Sequence, residues 1–106
     1  MNGLMATIHE ATEGPDGKVF RGGVIAESEA VKRRRRGLDT VVSGNDTAEN
    51  CQIARGIENQ VGPNYDDGPH TLTAGPYALP HWQQDQPPPA GHALYETHLK
   101  KSFAQP

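Results

Sequence analysis

Three histidines in the last third of the chain, His70, His81 and His92, recur at equal spacing, each directly after Pro or Gly. Imidazole is the side chain whose unperturbed pKa lies nearest neutrality, so rings brought together can pass protons or hold a metal. Phosphodiester and acyl transfer both need one group that takes a proton and another that gives one, and two histidines supply both without a metal. The candidate catalytic set is therefore His70, His81, His92 and Tyr95. In it, His81 and His92 exchange protons as base and acid, and His70 or Tyr95 orients a phosphate. Trp82 is placed to stack on a base if it borders the same cleft. The plainer alternative is that each histidine is a surface group at a strand end.

A zinc site on the three histidines, with an open position for water, is a second chemistry. Their separations match no compact motif in which one helix aligns the ligands, so the expectation is no metal and no cofactor. Nucleophilic catalysis is poorly supported. Ser43 sits at a strand-to-helix turn without the Gly-x-Ser-x-Gly pattern, and Cys51 has no evident base.

The run Lys32-Arg33-Arg34-Arg35-Arg36 holds five of the ten Lys and Arg residues. On a helix such a run wraps more than one turn and cannot all face one groove. It reads either as a solvated helix end favoured by the macrodipole or as a phosphate contact. Candidate phosphate and substrate contacts are accordingly Arg33, Arg34, Arg35, Arg36, Arg55 and Trp82.

Several elements must position these groups. The alternation predicts a hairpin of strands near 6–9 and 18–21 about Gly14-Pro15-Asp16-Gly17. A helix is predicted over 29–36, capped by Ser28 and stopped by Gly37. Leu38–Ser43 is the best strand. Asp46 and Glu49 form a capping box for a second helix, whose Asn50, Ile53, Ala54, Ile57 and Val61 share one side. Gly56 there suggests close packing on the strand. Gly62-Pro63 ends that helix, and Asp66-Asp67-Gly68-Pro69 reads as a turn. Short strands are predicted over 70–73 and 78–83, a polyproline-type linker over 85–90, and a last strand over 92–99. The fold class is α+β: a small, mostly antiparallel sheet with two helices and a loop-rich C-terminal third.

At 106 residues, with 12 glycines and nine prolines, the chain makes a single domain over 1–106 with a modest core. Residues 1–15 and 100–106 are expected to be its flexible parts. One cysteine excludes an internal disulfide, and a net charge of −3 argues against the whole chain binding nucleic acid electrostatically. With no apolar stretch long enough for a signal sequence or a membrane span, the expected location is cytoplasmic as synthesised. Release from, or delivery by, a larger carrier is compatible with that.

Several strings in 31–103 resemble the C-terminal toxin domains of Rhs-type bacterial polymorphic toxins. They are the Arg-rich helix, Gly37-Leu38-Asp39-Thr40-Val41-Val42, Ile53-Ala54-Arg55-Gly56-Ile57-Glu58, Ala74-Gly75-Pro76-Tyr77-Ala78-Leu79-Pro80-His81-Trp82-Gln83, and Gly91-His92-Ala93-Leu94-Tyr95-Glu96. The resemblance implies an antibacterial effector domain, often a nuclease, delivered into a target cell and neutralised by an immunity protein. Combined with the histidines, it gives a small metal-independent ribonuclease-like toxin, with RNA or another nucleic acid as its partner. The alternatives are a non-catalytic protein-interaction module using the basic helix and Pro87–Pro89, and a metal-dependent hydrolase.

Overall fold

A computed structural model describes residues 6–69 and 75–105. His70 and the strand predicted over 70–73 lie outside the described residues. In chain order the elements are β1 (Thr7–Glu13), β2 (Val19–Val24), α1 (Glu27–Arg35), β3 (Thr40–Ser43), α2 (Thr47–Asn59), β4 (Asn64–Asp67), β5 (His81–Gln84), β6 (Ala93–Tyr95) and β7 (Phe103–Ala104). The strands make one sheet in the order β4-β5-β6-β3-β1-β2-β7. Pairing is antiparallel except at β3–β6 and β2–β7, so the α+β expectation holds.

Strand alternation divides the sheet into two faces. On one, Val42, Ala93 and Tyr95 pack with Ala30, Val31, Ala54 and Ile57 of the two helices. On the other, Ala11, Val19, Val41 and Leu94 are covered by Leu79, which arrives from the loop before β5. Among the described residues, no α-helix contributes to this second cluster. Burying residues such as Ile57 and Leu79 is worth roughly 1.5–3 kcal/mol each.

The helices form for the reasons legible in the chain. At α2, the Asp46 carboxylate accepts the Glu49 N–H at 3.2 Å, and Asn50, Ala54 and Ile57 turn inward. Gly56 departs from expectation: a Cβ there would meet nothing within 4 Å, so it marks no close approach. At α1, acidic residues open the helix and basic ones close it, as the dipole favours. Its N-cap is Ala26 rather than Ser28 and makes no side-chain bond. Gly37 follows with φ +79°, the left-handed turn that ends a helix.

Four expectations are corrected. Residues 7–13, expected to be among the weakest, form an interior strand bonded to both β2 and β3. Asp66-Asp67 is not a turn but the end of edge strand β4. The last strand stops at Tyr95, because Glu96 is buried and its carboxylate must collect donors from Ser43, Gly44 and Ser102. That same need draws in the tail, and Phe103–Ala104 pairs in parallel with Phe20–Arg21.

Candidate active site

His81 and His92 converge on the helix-free face. Their ring centroids are 4.4 Å apart and the planes cross at 62°. The register explains the meeting: His81 pairs with Leu94 across β5 and β6, and His92 enters β6 two residues earlier on the same face. On one side of the pair, His92 Nδ1 donates to Glu13 Oε2 at 2.9 Å and lies 3.6 Å from Asp39 Oδ1. On the other, His81 Nε2 bonds Gln83 Oε1 at 2.7 Å, and Gln83 Nε2 donates to the Tyr65 hydroxyl at 2.6 Å. Asp67 Oδ2 stands 3.9 Å from His81 Nε2. A polar row thus crosses the face from β4 to β1.

The two imidazoles are driven apart in proton affinity. For His92, Asp39 first and then Glu13 outweigh burial and push its pKa up to about 9. For His81, burial comes first and repulsion from His92 second, and together they hold its pKa below the usual value despite Gln83, Leu79 and Asp67. Burial alone would raise Asp39, but its bonds with His92 and Glu13 leave that carboxyl below its ordinary value. Near neutral pH the pair is therefore one imidazolium and one neutral imidazole, the division of labour expected of an acid and a base. His81 is only 4% exposed, whereas the His92 side chain is about one-third open and, among the described residues, leaves Nε2 unbonded.

The basic run serves this site in a way the sequence reading does not anticipate. Arg34 is fully buried on α1 and grips Glu58 of α2 through Nε at 2.8 Å and Nη2 at 3.0 Å. Its remaining nitrogen donates to the carbonyls of Leu38 (3.1 Å) and Ala90 (2.8 Å). These carbonyls belong to the two segments that deliver Asp39 and His92. Arg33 reaches the carbonyls of Asp39 and Ala11, holding the start of β3 against β1. Gly91 completes the joint with φ +91°, and a Cβ there would lie 2.9 Å from Asp39 Oδ1. The Asp39 carboxylate fills that space and accepts the His92 backbone N–H at 2.8 Å.

Arg34 is thus corrected from substrate contact to buried scaffold, and Arg33 spends its guanidinium on backbone carbonyls. Arg35 and Arg36 remain exposed, Arg35 bonded to the Gln60 carbonyl. Tyr95, Trp82 and Arg55 also fall away from the histidines. Tyr95 lies in the helix-facing core with its hydroxyl on Asp66 at 3.0 Å. Burial, then Cys51 and Asp66, push its ionisation far up, so it stays a neutral phenol. Trp82 packs against the same core, with the Arg55 guanidinium 5.3 Å over its ring. Alternation puts odd and even residues of one strand on opposite faces, so His81 and Trp82 could not share a site.

Glu13, Asp39, Gln83 and Tyr65 are the site residues that sequence reasoning missed. Glu13, Asp39 and His92 place three donor atoms within 4.8 Å of one another, a spacing compatible with a cation. Comparison with protein-family models, curated proteins and solved structures found no match.

Proposed function

We propose that this domain is a small metal-independent nuclease of the ribonuclease type, an effector such as the Rhs-toxin resemblance implies, with an immunity protein as its cellular partner. The observation that supports it best is the contact of two imidazoles of opposite protonation on an otherwise helix-free face. In this reading a ribose 2′-hydroxyl attacks phosphorus and gives its proton to His81. The bond from phosphorus to the 5′-oxygen breaks, and that oxygen takes the proton of His92. A 2′,3′-cyclic phosphate is left. With its Nε2–H given to Gln83, the nitrogen of His81 that takes this proton is Nδ1, which faces the Leu79 carbonyl at 3.4 Å.

Purified domain incubated with single-stranded RNA and excess EDTA is expected to cleave as fast as without EDTA, giving cyclic phosphate ends. Cleavage abolished by EDTA and restored by a divalent metal would make this a metal-dependent hydrolase instead. No cleavage under either condition would overturn the nuclease reading and favour an interaction module.

A further inference from the structure

The loop over 75–80 that leads into His81 forms one wall of a cleft of about 430 Å³, and the segment 99–103 forms the other. Its apolar surface is aromatic: Tyr77 meets Phe103 edge to face, with centroids 5.5 Å apart. Tyr77 is 45% exposed, and Leu99 beside it is 86% exposed, so much of this surface faces solvent. Three lysines stand near it. Lys18 Nζ lies 5.3 Å from the centroids of both rings, and Lys100 and Lys101 line the cleft.

Among the described residues none of the three lysines has a carboxylate within 4.0 Å. Lys100 donates to the carbonyls of Pro76 and Ala78, and Lys101 to that of Gly44. In a chain of net charge −3, three cations without counter-ions around an aromatic cleft are a local reversal of sign. They call for an anion with a flat apolar body.

We propose that this cleft binds one nucleotide of a single-stranded nucleic acid, its base against Tyr77 and Phe103 and its phosphates among Lys18, Lys100 and Lys101. The proposal rests on the nuclease reading and adds to it the subsite that holds the strand. The size of the cleft favours this occupant: it suits a ligand of nucleotide dimensions, whereas a stable protein partner covers about 800 Å². Loop 75–80 joins the subsite to His81 in the chain.

The test uses a fluorescein-labelled 2′-O-methyl hexauridylate, which lacks the attacking hydroxyl and is not consumed, with affinity read by fluorescence anisotropy. Tyr77→Ala is expected to weaken binding about 5- to 150-fold, Tyr77→Phe to retain it, and Arg55→Gln to leave it unchanged. The pair Lys100→Gln and Lys101→Gln is expected to lower the salt dependence by about 1.4 in logarithmic slope. Wild-type affinity in Tyr77→Ala together with an unchanged slope would overturn the proposal. Equal competition by a glutamate-rich peptide would do so as well, by identifying an acidic protein as the occupant. Binding here without RNA cleavage would leave the subsite standing and overturn the nuclease reading; cleavage with Tyr77 irrelevant to affinity would do the reverse.

Discussion

Replacing His92 by Asn is expected to lower the rate of RNA cleavage by ~10²–10⁴-fold, the loss typical of removing a positioned proton donor. Asparagine keeps the backbone N–H that Asp39 accepts, so the joint at Gly91 persists. What disappears is a partly exposed imidazole that carries a proton at neutral pH. Far-UV circular dichroism should show the fold intact, and initial rates on single-stranded RNA give the loss. A wild-type rate would remove His92 from the mechanism. The pH dependence has a definite sign: activity should fall above about 9, as His92 gives up its proton, and on the acid side of the ordinary histidine value, as His81 takes one.

Glu58→Ala is expected to cost about 3–5 kcal/mol of stability, enough to leave a domain of this size marginal. Both Glu58 and Arg34 are wholly sealed from solvent. Removing the carboxylate strands a guanidinium that cannot reach water, and also takes from Gln84 the acceptor it uses at 2.7 Å. The desolvation penalty of the orphaned charge, rather than the lost attraction, sets the size of the effect. Replacing both partners by apolar residues, Arg34→Met with Glu58→Leu, should therefore cost less than the single change. Urea unfolding of the three variants measures this. A single variant losing less than ~1 kcal/mol would show that Arg34 finds water or another partner. Because Arg34 also holds the carbonyls of Leu38 and Ala90, Glu58→Ala should disturb the histidine site from a distance.

What was legible in the chain follows from short-range physics. The Asp46 cap, the stripe of Asn50, Ala54 and Ile57, and the Gly37 stop are all signals local to a few residues, and each lies where the pattern put it. The meeting of His81 and His92 was argued from their recurrence beside turns, and strand register brings it about. The carboxylates were not legible. Glu13 lies 79 positions from His92 and Asp39 53 positions away, and no periodicity links residues so distant. Arg34 misled for a related reason: its burial depends on a carboxylate one helix later, which composition does not reveal. Tyr95 and Trp82 failed through parity, since proximity in sequence to a histidine on a strand puts a neighbour on the opposite face.

On the face that holds His81 and His92, the two imidazoles touch in opposite protonation states. The most direct measurement is a titration of the histidine ring resonances by NMR in the folded domain, assigned with His81→Asn and His92→Asn. His92 should stay protonated until about pH 9, while His81 should titrate below the ordinary histidine value. Both rings titrating together near 6.5 would contradict it, and so would the reverse order.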